Sequence, residues 1–109
     1  MSAPLPAVAA WQWPADVLEF AAKENVRQYL DPLLEATRRV FPTARDIQVS
    51  LEADPEIRDD WHIVFDVRVP NLSPSEGLAA QNRWNTELFR CCPAPLVCTF
   101  RLALYLGEP

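Results

Sequence analysis

The sequence predicts an α+β fold in the order helix, strand, strand, helix, strand, with a three-stranded, mostly antiparallel sheet and the helices packed on one of its faces. Two observations carry this prediction. Apolar residues recur at helical spacing before residue 42 and again after residue 73, whereas the intervening and final segments alternate apolar and polar residues. The chain has 109 residues, enough for one hydrophobic core and too few for two. We therefore expect a flexible Pro/Ala-rich tail over residues 1–14 and a single α+β domain over residues 15–109.

The first helical region contains its own interruption. Asp16, with Glu19 three residues later, resembles a capping box and predicts a helical run from Val17 to Phe41. Within that run, Asn25 tolerates the left-handed backbone that ends helices, and the pair Asp31–Pro32 is typical of a new helix start. Two consecutive helices and one kinked helix are both compatible with this pattern.

Two strands joined by a long acidic connection are predicted next. In "DIQVSLEAD" the odd-numbered residues from Ile47 to Ala53 are apolar and face one way, while the residues between them are polar. In "WHIVFDVRV" the odd-numbered residues from Trp61 to Val69 face inward, whereas His62, Asp66 and Arg68 face outward. We expect these two segments to form a hairpin.

A second helix and a third strand complete the fold. Ser73 as cap, Pro74 at the first helical position and Glu76 at the third predict the helix start. The segment "LVCTFRLALYL" alternates again and predicts a strand from residue 96 to residue 106. A connection from strand through helix to strand is right-handed, so this third strand runs in the same direction as the second. We prefer a sheet with the first strand in the middle; the alternative pairs the second and third strands directly in parallel.

The segment "RCCPAPLVCTF" holds all three cysteines of the chain. Cys91 and Cys92 fall on the apolar side of the second helix and Cys98 on the inward side of the last strand, so we expect three inert thiols in the core. The chain has no Cys-x-x-Cys pair and a single histidine, so no metal site and no cofactor are expected. Its two glycines also exclude the usual phosphate-cradling loop.

The formal net charge of −5 limits the kind of partner. This charge disfavours binding to a nucleic-acid backbone or to an anionic membrane surface. No uncharged apolar run of about eighteen residues and no secretory signal pattern occurs, so no membrane association is expected and the cytoplasm is the expected location. A basic protein or a neutral small molecule fits the charge better.

Two groups of residues are candidates for a functional site. The first would bind a protein partner and combines the acidic connection between the strands with two aromatic residues near the N-terminus: Asp54, Glu56, Asp59, Asp60, Trp11 and Trp13. Its structural alternatives are a solvated loop and a tryptophan stapled onto the first helical turn. The second would line a groove on the outward sheet face and consists of His62, Asp66, Glu52 and Arg101, with His62 as a base and Asp66 as its orienting carboxylate.

The segments "DPEIRDDWHIVFDVRV", "RWNTELFR" and "CPAPLVCTFRLALYL" occur in an order that resembles small uncharacterised α+β proteins of bacteria. The resemblance covers most of the chain from Val17 onward. It implies a bacterial origin and the same fold class. Since no catalytic motif belongs to it, it assigns a role to no residue.

Three functions are compatible with the sequence. The first is a non-catalytic protein-interaction module that binds and restrains a more basic partner, in the manner of an antitoxin or an immunity protein. The second is a small enzyme or ligand binder that uses the sheet face around His62. The third is a structural homodimer whose third strand or apolar patch forms the interface.

Overall fold

The computed structural model describes residues 11–107, and this part of the chain contains three α-helices, two short 3-10 helices and one three-stranded sheet. The α-helices are α1 (Ala15–Lys23), α2 (Leu30–Val40) and α3 (Pro74–Cys91), and the strands are β1 (Asp46–Ala53), β2 (Trp61–Val69) and β3 (Phe100–Leu106). The 3-10 helices span Arg27–Tyr29 and Ala94–Thr99. The predicted α+β class and the order of its elements are confirmed.

The first helical region forms two consecutive helices. Asn25 has a φ of 61°, the left-handed conformation that its side chain tolerates, and this residue separates α1 from the turn before α2. The predicted capping box at Asp16 is wrong, because α1 starts at Ala15, two residues before the predicted start, and its cap position, Pro14, makes no side-chain hydrogen bond. The box predicted at Ser73 is present: the Ser73 hydroxyl accepts from the Glu76 N–H and the Glu76 carboxylate accepts from the Ser73 N–H.

The strand order is β1, β2, β3, so β2 occupies the middle of the sheet. It pairs antiparallel with β1, with Asp46 opposite Arg68, and parallel with β3, with Ile63 opposite Phe100. The preferred arrangement with β1 in the middle is therefore wrong, and the parallel alternative is correct. The sheet is mixed, with one antiparallel and one parallel pair. The physical reason lies in β2, whose inward residues from 63 to 69 are fully buried and need a neighbour on both sides.

One hydrophobic core lies between the helices and a single face of the sheet, and every helix and strand of the described part contributes to it. Phe65 lies at its centre, with the ring centroids of Trp84 and Phe100 at 6.0 and 6.5 Å. The Trp84 indole N–H donates to the Thr37 hydroxyl at 2.8 Å, which joins α3 to α2 inside the core. Val64 is buried but lies outside this core, and it marks the opposite, mainly polar face of the sheet.

The segment before β3 differs from its prediction. Residues 96–99 belong to the 3-10 helix Ala94–Thr99, and the strand begins only at Phe100. Pro93 and Pro95 explain the difference, because proline favours the turn and cannot donate to a sheet. As a result Cys98 is exposed, Cys91 is partly buried and Cys92 is buried. The prediction that all three thiols lie in the core is therefore wrong for Cys98.

Candidate functional site

The connection between β1 and β2, residues 54–60, forms a loop with a defined shape, which we call the acidic loop. The Asp54 N–H donates to the Asp60 carbonyl oxygen at 2.8 Å and closes the loop at its base. The Asp54 carboxylate accepts from the Glu56 N–H at 2.8 Å, and Asp59 adopts a φ of 60°, which aspartate tolerates. Local hydrogen bonds therefore hold the backbone of the loop.

The surface of the acidic loop combines carboxylates with large apolar side chains. Glu56 and Asp59 are exposed, and Arg58 is the only cationic residue of the loop. Between and beside them, Ile57 is 56% exposed and Trp61, the first residue of β2, is 44% exposed. The predicted inward position of Trp61 is therefore wrong, since half of this side chain faces solvent at the end of the sheet.

The four carboxylates predicted to bind a partner have different surroundings. Glu56 and Asp59 point to solvent, whereas Asp54 bonds within the loop and Asp60 bonds to His62. Two of the four predicted residues are thus available on the surface, and the other two fix the loop that presents them.

Trp11 and Trp13 pack against the core of their own domain. The Trp13 indole N–H donates to the Asp31 carboxylate at 2.8 Å, and its ring centroid lies 6.3 Å from that of Phe65. Trp11 stacks edge-on against Trp13 at 5.3 Å and lies beneath the Arg38 guanidinium. Residues 11 and 13, which were predicted to belong to the flexible tail, are therefore part of the packed structure. The remainder of the predicted tail, residues 1–10, lies outside the described residues, as do residues 108 and 109 of the predicted domain.

His62 is held at both ring nitrogens. Its Nδ1 lies 3.0 Å from the carbonyl oxygen of Cys98 and its Nε2 lies 2.9 Å from the Asp60 carboxylate, and the residue is 8% exposed. A carbonyl oxygen only accepts hydrogen bonds, and so does an ionised carboxylate. Nδ1 therefore donates to the Cys98 carbonyl oxygen, and Nε2 is the nitrogen that faces the Asp60 carboxylate. In this arrangement His62 joins the acidic loop to the segment before β3 and has no free nitrogen that could act as a base.

The carboxylate that orients His62 is Asp60. The structure gives no bond between His62 and Asp66, so the predicted pairing of these two residues is wrong. Asp66 lies further along the same strand, where burial and the Glu52 carboxylate raise its pKa, while Arg68 and the Tyr105 hydroxyl act in the opposite direction. The reason for the difference is proximity in sequence, since Asp60 lies two residues from His62 and its carboxylate reaches Nε2, whereas Asp66 lies four residues along the strand.

A shallow groove of about 240 Å³ does lie on this face of the sheet. Glu52, His62 and Arg101, three of the four residues predicted to line it, are among its lining residues, together with Asp54 of the acidic loop. The strand register explains their proximity, because Glu52 lies opposite His62 and Arg101 lies opposite Val64. Asp66 is not part of the lining.

The proximity of Cys98 to His62 was missed by the sequence analysis, which placed them on opposite faces of the sheet. Both residues line a second depression of about 210 Å³, beside Asp59 and Asp60. The two prolines at 93 and 95 were the signal that the strand had not yet begun. However, the His62 ring bonds the Cys98 carbonyl oxygen, so it supplies no base for the thiol.

Within residues 11–107, no group of three or more histidine, cysteine, aspartate or glutamate side chains is arranged to hold a metal ion. In the same range, each helix is too short or too polar to cross a lipid bilayer. The fold and the site thus define a small α+β domain with a mixed sheet and an acidic loop at one end. Comparison with protein-family models, with curated proteins and with solved structures finds no match to this chain.

Proposed function

We propose that this protein is a non-catalytic interaction module that binds a more basic protein through the acidic loop. The observation that carries the proposal is the exposure of Ile57 and Trp61 next to the exposed carboxylates of Glu56 and Asp59. The function has the form of an antitoxin or immunity protein, which binds and restrains a basic partner.

The apolar and the acidic side chains of this surface have different roles in binding. Large exposed side chains, tryptophan above all, supply most of the binding free energy in protein interfaces when a partner covers them. The surrounding carboxylates attract a basic partner and set its orientation. The hydrogen bonds of Asp54 and Asp60 hold the loop in shape before binding, so less conformational entropy is lost on association.

The groove beside the loop extends the same surface, since Asp54 belongs to both. Its volume of about 240 Å³ is below the range of roughly 300–1,000 Å³ that is typical of small-molecule sites. Both nitrogens of His62 are engaged, so this histidine does not serve as a base for the nearby Cys98 thiol. These observations favour binding of a protein over catalysis on this face.

The test starts with capture of partners from the native host on immobilised protein, with washes at low and high salt and identification by mass spectrometry. The affinity of the captured partner is then measured by calorimetry for two variants. Glu56→Gln with Asp59→Asn removes two loop charges and keeps the backbone, because asparagine also tolerates the left-handed conformation of residue 59. Trp61→Ala removes the apolar anchor. We expect the first to weaken binding about 10-fold, mainly through slower association. We expect the second to weaken it about 30-fold or more.

The matched control is Glu19→Gln with Glu35→Gln, which removes the same charge from exposed positions on α1 and α2. This variant should bind the partner with unchanged affinity. If it weakens binding as much as the loop variant does, the interaction depends on overall charge and the proposed surface is wrong. A partner that binds the Trp61→Ala variant with the same affinity as the unaltered protein also contradicts the proposal.

A further inference from the structure

The strand β3 forms one edge of the sheet, and it lacks the features that usually protect such an edge. It is the last strand in the order, so one row of its backbone N–H and C=O groups has no strand partner among residues 11–107. Edge strands are normally protected by proline, lysine or other charges, or by a bulge. From Phe100 to Leu106 there is no proline and one charge, Arg101, and the register with β2 is uninterrupted.

Apolar side chains flank this free edge on the helix side of the sheet. Leu102, Leu104 and Leu106 remain partly exposed, whereas their neighbours on β2 are fully buried. On α3, Leu78 and Phe89 are 62% and 60% exposed, more than any other large apolar side chain of the described part. Single exposed apolar residues are common at protein surfaces, so it is their combination with the partly exposed leucines of the free edge that indicates an interface.

The position of these two residues on α3 follows from helical geometry. At 100° per residue, Leu78 and Phe89 lie about 20° apart around the axis, three turns from each other. Glu87 lies about 180° from Leu78. Glu87 faces α2, where Arg39 donates to it at 3.2 Å, so Leu78 and Phe89 point away from α2.

Gly77 lies close against Leu106, since a Cβ on Gly77 would be 2.5 Å from the Leu106 Cδ1. Because α3 contacts β3 through Gly77, Leu78 and Phe89 lie on the outer side of α3, away from α2.

Among residues 11–107, the side of α3 that carries Leu78 and Phe89 has no acidic group. The exposed residues of α3 between Leu78 and Phe89 on the same side are uncharged: Gln81, Asn82 and Asn85. A symmetric contact between two copies brings the same surface of each copy together. Because the chain has a net charge of −5, such a contact is favoured where this surface carries no negative charge. The other edge strand, β1, carries Asp46 and Glu52 and does not fit this requirement.

We propose that a second copy of this chain pairs antiparallel along β3, giving a symmetric homodimer with a continuous six-stranded sheet and α3 packed against α3 of the partner subunit. Pairing over the full strand is centred on Ala103. Arg101 then lies opposite the partner's Tyr105, and Leu102 lies opposite the partner's Leu104. No like charges face each other in this register. The inference goes beyond the proposed partner binding and uses a different surface.

The test is the mass of the full-length protein by sedimentation velocity over a range of concentrations. The expected result is a particle of twice the chain mass of 12.4 kDa. The double variant Leu78→Glu with Phe89→Glu should raise the dimer dissociation constant at least 10-fold, on the order expected for central apolar positions replaced by like charges. Both side chains are mostly exposed, so its melting temperature as a monomer should be unchanged.

The control is Ile57→Glu, which places one glutamate at a similarly exposed apolar position of the acidic loop and is compared with the single variants Leu78→Glu and Phe89→Glu as well as with the double variant. It should leave the dimer intact and weaken capture of the basic partner, so that failures of the two proposals are distinguishable. A monomer at every concentration would overturn the dimer. So would a dimer as sensitive to Ile57→Glu as to the α3 variant.

The register is tested by oxidative cross-linking of Ala103→Cys in a Cys98→Ser background. Directly opposed residues of antiparallel strands lie close enough for a disulfide, so a covalent dimer should form rapidly. The same change at Glu52 on β1 should give no cross-link. A cross-link at Glu52→Cys and none at Ala103→Cys would place the interface elsewhere and refute the proposed pairing.

Discussion

At the scale of single residues, Thr37 determines how α2 and α3 fit together. It is fully buried, and its hydroxyl donates to the Leu33 carbonyl oxygen at 2.7 Å while accepting from the Trp84 N–H at 2.8 Å. Thr37→Val keeps the shape but leaves the Trp84 N–H without an acceptor, which should lower the free energy of unfolding by about 1–3 kcal/mol. Denaturant titration followed by tryptophan fluorescence measures the change.

The control for this prediction is Thr37→Ser, which keeps the hydroxyl and removes one methyl group. We expect it to cost about 1 kcal/mol or less. If the serine variant is the less stable of the two, packing of the methyl group matters more than the hydrogen bond to Trp84.

The three cysteines should react with thiol reagents at different rates. Cys98 is exposed and should be labelled first in the folded protein at neutral pH, whereas Cys92 should react only after unfolding. Mass spectrometry of the peptides after timed labelling distinguishes them. Labelling of Cys92 as fast as Cys98 in the native state would show that the end of α3 opens readily.

Burial, with a smaller effect of Cys91 and Cys98, raises the pKa of the Cys92 thiol from 9.0 to about 11. The folded protein therefore retains this proton at a pH at which the unfolded chain releases it. The free energy of unfolding should be unaffected well below pH 9 and should fall as the pH rises from about 9 towards 11. Urea titrations over this range test the slope, and Cys92→Ala should flatten it.

At the scale of elements, the start of α3 depends on the capping box of Ser73 and Glu76. Ser73→Ala removes the acceptor of the Glu76 N–H and should destabilise the protein by about 1 kcal/mol. Ser73→Asp keeps an acceptor and should retain most of the stability, as judged by thermal unfolding at pH 7. Equal losses in both variants would mean that the cap contributes little to the fold.

The same capping box has a pH dependence. The backbone N–H of Ser73 holds the pKa of the Glu76 carboxyl below its ordinary value of 4.5. Its contribution to stability is therefore present above pH 4.5 and is lost as the pH falls through the lowered pKa.

The boundaries of helices and strands were predictable where they depend on residues close together in the sequence. The Ser73 cap and the left-handed Asn25 act through their own neighbours in sequence, and both mark the boundaries that the structure has. The alternation of residues 96–99 suggested a strand, but Pro93 and Pro95 hold this segment in a 3-10 helix. Periodicity alone does not separate these two conformations over so few residues.

At the scale of the whole molecule, a single core joins every helix and strand of the described part. We therefore expect one cooperative unfolding transition. Far-ultraviolet circular dichroism, which follows the helices, and the fluorescence of Trp84 should give the same midpoint. Separate midpoints would show that α1 or β3 unfolds independently of the rest.

The candidate site was predictable in its chemistry and only partly in its geometry. The alternation of β1 and β2 placed Glu52 and His62 on the same face, and Arg101 followed from the alternation of β3. The bonds from His62 to Asp60 and to the Cys98 carbonyl depend on how the loop and the 3-10 helix meet, which no local pattern encodes.

The sequence by itself determined the α+β class, the order of the elements, the interruption at Asn25 and the start of α3, because periodicity and capping act between residues close in the chain. Tertiary structure decided that β2 lies in the middle of the sheet, that Trp11 and Trp13 pack on the core, and that Cys98 lies at the surface. These outcomes depend on which distant segments bury one another, since the most deeply buried strand takes the position in which both of its edges are paired.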